Sequence, residues 1–164
     1  VYSIWNCMLQ RCYNTDNLDN RKTYKEIVVC KEWHNFQNFI KWYVNNYNSE
    51  TMQGWHLDKD ILVKGNKVYS PDTCCLVPNE INVLFTKRDS KRGEYPIGVS
   101  KDYDKFKVTL RKTNLGRFDT PEEAFQAYKI AKELHIKQLA EKYKQCLKIE
   151  VYKSLINYQV EITD

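Results

Sequence analysis

The chain has 164 residues and 19.6 kDa, enough for one ordinary domain or two small ones, and its 42% hydrophobic and 13% aromatic content excludes a disordered polymer. No apolar run approaches the roughly 18 residues of a membrane span, and no secretory h-region opens the sequence, although native residues ahead of Val1 are expected. The net charge of +5 is modest but uneven: residues 1–86 hold nine Lys/Arg and nine Asp/Glu, residues 118–164 seven and eight, and residues 87–117 ten against four.

Tyr2, Ile4, Trp5, Met8, Leu9 and Cys12 recur at three- and four-residue steps and predict an amphipathic helix, ended by the polar run 14–20. Residues 26–30 are a short β-rich run, and Phe36, Phe39, Ile40, Tyr43 and Val44 restore the helical period. A hairpin follows: a strand over 55–62, a loop at Gly65-Asn66, and a return over 74–77. Pro78 then opens a helix to Phe85. The basic stretch 86–94 is the expected linker between a module at 1–86 and one at 87–164.

Beyond the linker, three short strands are predicted at 97–99, 105–112 and 115–118. Thr120-Pro121-Glu122-Glu123 carries an N-cap threonine, an N1 proline and an N3 glutamate, so a helix of about 25 residues starts there and lays its apolar side on the sheet. A helical tail completes the second module. The expected class is α+β, with a strand–loop–strand–helix unit behind N-terminal helices and then a three-stranded antiparallel sheet packed on one long helix.

Six cysteines in a chain large enough to fold unaided are read as reduced thiols of a cytoplasmic protein, and their spacing lacks the paired knuckles of a zinc site. Trp5, Trp33, Trp42 and Trp55, with Cys30 and Cys74, are read as core. His34 and His135 are read as surface or capping residues.

Two constellations can carry chemistry. Alternation from Lys105 to Arg111 puts Phe106, Val108 and Leu110 on the helix side, and Lys105, Lys107, Thr109 and Arg111 on the open side, roughly 6.7 Å apart along the strand. That spacing suits a row of phosphates, and Lys101, Lys112 and Arg117 extend the cationic set; the alternative is a solvated outer face. The other constellation is Asp58-Lys59-Asp60 with Asn66, Asp72 and Asn82, whose oxygens are hard ligands for Mg²⁺ or Mn²⁺ or simply turn-formers.

The stretches Trp5-x2-Met8-x2-Arg11-Cys12-Tyr13-Asn14, Val29-Cys30-x-Glu32-Trp33-x2-Phe36-x2-Phe39, Leu57-Asp58-Lys59-Asp60 and Tyr69-Ser70-Pro71-Asp72-Thr73-Cys74 together resemble phage-encoded HNH-type homing endonucleases. Ile97-Gly98-Val99, Leu115-Gly116-Arg117-Phe118 and Thr120-Pro121-Glu122-Glu123-Ala124-Phe125-x2-Tyr128 resemble the DNA-binding domain of plant ethylene-response factors, which such endonucleases often carry C-terminally. The first resemblance implies a ββα-metal fold over residues 55–85 that holds one divalent cation. By position it gives Asp58 and Asn82 as the metal ligands. Lys59 stands where the family has its water-activating His, and Thr73 where it has the Asn that orients that His.

A lysine beside Asp58 and Asp60 is a poor base, so Lys59 is expected to stabilise charge on the scissile phosphate. His56 is the alternative base, on the same strand face as Asp58. The expected activity is metal-dependent cleavage of double-stranded DNA in the host cell of a phage or mobile element. The rival is a catalytically inactive DNA-binding regulator, or a protein inhibitor of another nucleic-acid enzyme; RNA stays open as a substrate.

Overall fold

The computed structural model describes residues 1–14, 26–86 and 94–162, so the polar run 15–20 and most of the basic linker, with Lys87, Arg88, Lys91 and Arg92, lie outside the described residues. The chain divides into two compact units, Val1–Val83 and Leu84–Asp164. It is a mixed α+β protein: five α-helices and three small sheets lie among the described residues.

In the first unit, α1 (Tyr2–Tyr13) is followed by β1 (Val28–Val29), a 3-10 turn (Lys31–His34) and α2 (Phe36–Asn46). Asn35 caps α2, its Oδ1 accepting the Gln37 amide at 2.8 Å. Aromatic side chains form the core: Trp33 meets Phe39 edge-on at 5.0 Å and Trp42 at 4.8 Å, and Trp5 Nε1 donates to the Trp33 carbonyl at 2.7 Å. Trp33 and Trp55 are buried as expected, whereas Trp5, Trp42 and Cys30 are only half-buried and line the edge of the core instead of its centre. All six cysteines are free.

The strand–strand–helix order is present. β2 (His56–Asp58) pairs antiparallel with β4 (Cys75–Val77), with Leu57 opposite Leu76 and Asp58 opposite Cys75, and α3 (Asn79–Phe85) follows. Two features differ from expectation. The first strand ends at Asp58, not residue 62, because Asp58 Oδ1 accepts the amides of Asp60 and Ile61 and turns the chain. Within the intervening loop, β3 (Val68–Tyr69) pairs in parallel with β1. The other edge of β1 is covered, the Val29 amide donating to Tyr13 Oη at 2.9 Å.

The second unit holds β5 (Val99–Asp102), β6 (Lys105–Leu110) and β7 (Thr113–Phe118) as an antiparallel sheet in that order, then α4 (Pro121–Lys142) and α5 (Ile149–Ile156). The capping box forms: Thr120 Oγ1 accepts the Glu123 amide at 3.2 Å, and Glu123 Oε2 accepts the Thr120 amide at 3.3 Å. α4 covers one sheet face, sealing Val108 from solvent. The approach is closest at Gly98 (φ +76°), where a Cβ would lie 2.1 Å from Tyr128 Cδ2. Val108 pairs with Gly116 but Thr109 with Asn114, leaving Leu115 as a bulge residue. Past α5 the chain is clamped on α4, the Val160 amide donating to Glu133 and its carbonyl accepting from Lys129.

Candidate active site and nucleic-acid interface

Asp58, Lys59 and Asp60 stand where β2 breaks into the loop. Asp58 is 7% exposed, and the described hydrogen bonds to its carboxylate both fall on Oδ1, at 2.8 Å from the Asp60 amide and 2.9 Å from the Ile61 amide. Burial pushes its carboxyl up to about 6; the two amides oppose that shift, the charge of Asp60 adds to it, and Lys59 counters weakly.

Lys59 is as deeply buried, and its ammonium meets three acceptors: Asp60 Oδ1 at 2.7 Å, Asp60 Oδ2 at 2.8 Å and the Asn66 carbonyl at 2.8 Å. An ammonium has three N–H donors and no acceptor, so this set is filled. Asn66 returns the contact, its Nδ2 donating to the carbonyls of Lys59 at 2.9 Å and Val68 at 2.7 Å. Thr73 gives its hydroxyl to the same Val68 carbonyl at 2.7 Å. Cys12 and Cys74 feel the field of Lys59, but burial dominates and drives their thiols up to about 11 and about 12, so neither is a thiolate at neutral pH.

His56 begins β2, exposed, two positions before Asp58. Asn82 lies on α3, half-exposed. Asp72 is exposed in the turn before β4. Among the described residues no group of three His, Cys, Asp or Glu is set to hold a metal. Mg²⁺ needs only one or two protein ligands, with phosphate and water completing its octahedron, so the carboxylate of Asp58 and the carboxamide of Asn82, both in the strand–strand–helix unit, fit a sparse site of that kind by residue type. A closed structural metal cage does not fit these residues.

In the second unit, the sheet face away from α4 carries Ser100, Lys107 and Arg117 side by side, with Asp102 and Lys105 paired beyond them and Thr109 next along β6. Arg117 Nε lies 2.7 Å from Asp102 Oδ2 and Lys105 Nζ 3.0 Å from Asp119 Oδ1. Lys107 makes no ion pair among the described residues.

Three expected members sit elsewhere. Lys101 is directly opposite Phe106 in the β5–β6 register, and directly paired residues share a face; its ammonium lies 4.1 Å from the Phe106 ring centroid, on the α4 side. Leu110 pairs with Thr113, so Arg111 and Lys112 form a two-residue turn instead of extending β6. Arg111 takes φ +58°, and its guanidinium reaches His135 on α4 at 3.0 Å. Because arginine only donates, His135 Nε2 accepts in that contact.

Residue-type reasoning offered Asn66 as a hard ligand or turn-former and not as the hub of the buried cluster, and it missed Tyr103, which is 90% exposed at the β5–β6 turn with φ +54°. The two-residue spacer between Asp102 and Lys105 was the only sequence signal for the latter.

No protein-family model, curated protein or solved structure matches this chain. The class that the fold defines is a two-unit α+β protein with a strand–strand–helix unit and a sheet-on-helix unit.

Proposed function

We propose that this protein binds double-stranded DNA and cleaves it with the aid of one divalent cation, Mg²⁺ or Mn²⁺, as a ββα-metal endonuclease whose second unit anchors the duplex. The observation that carries the reading is Asp58: a carboxylate buried at the end of β2, opposite β4 and ahead of the α3 helix bearing Asn82, and held away from its ordinary ionisation. Such a group destabilises the fold when charged, and perturbed carboxylates of this kind concentrate at functional sites.

Asp58 and Asn82 would hold the cation, which when bound stabilises charge developing on the scissile phosphate. His56, exposed beside Asp58 on β2, is the side chain able to take a proton from water. Lys59, with its donors filled internally, is removed from both the base role and direct phosphate contact. On the second unit, Lys105, Lys107, Thr109 and Arg117 supply phosphate contacts. An exposed pair such as Lys105–Asp119 contributes little to stability, so exchanging that carboxylate for phosphate costs little.

A second reading, a non-catalytic DNA-binding regulator or an inhibitor of another nucleic-acid enzyme, is favoured by one observation: the position of the family's base is taken by a lysine with no free donor. Purified protein with Mg²⁺ or Mn²⁺ is expected to nick or cut duplex DNA, EDTA to abolish this, and Asp58→Ala to reduce the rate by about a thousandfold with DNA affinity intact. Wild type that binds duplex DNA tightly but leaves it uncut with both metals would establish the second reading, and cleavage of RNA alone would redirect the first.

A further inference from the structure

We propose that Lys59 is a positioning residue for Asp58: through Asp60 and Asn66 it fixes the turn whose two amides orient the Asp58 carboxylate toward the cation. This rests on the metal-dependent reading of Asp58. The chain of contacts is continuous. Lys59 Nζ grips both oxygens of Asp60, and the amide of that same Asp60 donates to Asp58 Oδ1 at 2.8 Å. Asp60 is therefore held at its side chain by Lys59 and at its backbone by Asp58.

The far end of the loop is closed reciprocally. Lys59 Nζ donates to the Asn66 carbonyl while Asn66 Nδ2 donates to the Lys59 carbonyl, so residues 60–65 form a loop pinned at its base. Asn66 Oδ1 also accepts the Val68 amide at 3.1 Å, tying the loop to β3. Burying an ammonium without partners is costly, and here every partner is a group that shapes the loop. A hydrogen-bonded outer shell of this kind fixes a metal-ligating carboxylate and tunes its affinity.

Direct action by Lys59 is disfavoured by the same geometry. To contact a phosphate the ammonium would have to leave at least one of its three acceptors, and to take a proton it would first have to lose one. Neither is required if its task is to hold Asp60.

The test uses the full chain and two measurements, Mn²⁺ affinity by calorimetry and steady-state cleavage of duplex DNA, with a thermal melt to verify folding. Lys59→Met keeps the stem and removes the charge. It should weaken Mn²⁺ binding by about 10- to 100-fold and lower kcat in step, while KM for duplex DNA stays within about twofold. Lys59→Arg, which keeps the donors and cannot serve as a base, should restore Mn²⁺ affinity to within about threefold of wild type. If Lys59→Met does not fold, Asp60→Asn takes its place, because it weakens the ion pair and preserves the amide to Asp58; it too should bind Mn²⁺ more weakly.

Unchanged Mn²⁺ affinity in a folded Lys59→Met or Asp60→Asn protein overturns the proposal. So does loss of cleavage in Lys59→Met with Mn²⁺ affinity intact, which would assign Lys59 a direct chemical role. Wild type that is folded and binds no Mn²⁺ removes the metal-dependent reading itself, and that result is distinct from either of the others.

Discussion

Asp58 and Lys59 in the first unit are each 7% exposed, whereas on the open sheet face of the second unit the side chains of Lys105 and Arg117 are 54% and 59% exposed. Both regions pair their charges, yet the pairing means different things. In the buried cluster every donor of Lys59 is spoken for and an uncompensated change leaves a charge in low dielectric. On the sheet, water already solvates Asp119, so that carboxylate is replaceable by an external polyanion at little expense, while Asp102 is half-buried beneath the exposed Arg117. Burial commits charge to architecture and to a fixed local ligand; exposure keeps charge available to a large mobile one.

The largest test of this contrast is the pH dependence of stability. Asp58 titrates near 6 in the fold against an ordinary value of 3.8, so between those two values the folded chain holds more protons than the unfolded one. Stability from this group is therefore full below about pH 4 and lost as pH rises through 6, by about 3 kcal/mol. Asp58→Asn preserves an oxygen for the Asp60 and Ile61 amides. It should be more stable than wild type by up to that amount at pH 7.5 and nearly equal to it at pH 3.5, as read by denaturant titration. Parallel curves for the two proteins across that range would mean that the carboxylate is not strained by burial.

A smaller effect is expected on the exposed face. The triple substitution Lys105→Ala, Lys107→Ala and Arg117→Ala should leave thermal stability within about 0.5 kcal/mol of wild type. It should also weaken duplex DNA binding, flattening the plot of log affinity against log salt by about 0.9 for each phosphate no longer neutralised. Arg111→Ala serves as the contrast within the same basic segment, because its guanidinium is turned back on α4; it should leave that slope unchanged. Equal slopes for the triple variant and wild type would make the face a solvated surface only.

The smallest expected effect is at Tyr103. An aromatic residue at φ +54° is strained, so Tyr103→Asn should raise the unfolding free energy of the protein by about 0.5–1 kcal/mol, as read by denaturant titration. A loss of stability there would show that the exposed ring makes interactions that outweigh the backbone strain.

Sequence alone determined the features whose physics is local. The helix at 121–142 was legible because Thr120, Pro121 and Glu123 satisfy the helix's first amides within one turn of chain. The N-terminal helices were legible because apolar residues recur at the helical period. The uneven placement of charge needed no coordinates. Tertiary structure decided the rest. β1 and β3 are two residues each and pair across 38 intervening positions, too short to carry a period and too distant to leave a turn signal. Lys101 and Lys107 look equivalent in the sequence, yet the hairpin register sends them to opposite faces, since a pleat assigns sides only once the partner strand and turn length are set. Arg111 continues the alternation on paper and leaves it in the fold because the strand ends at Leu110, two residues before the expected 112. Lys59 reads in the sequence only as a cation beside two aspartates; its contacts with Asp60 and Asn66 accompany its burial, because burial is a property of what the rest of the chain does around a residue and not of the residue itself.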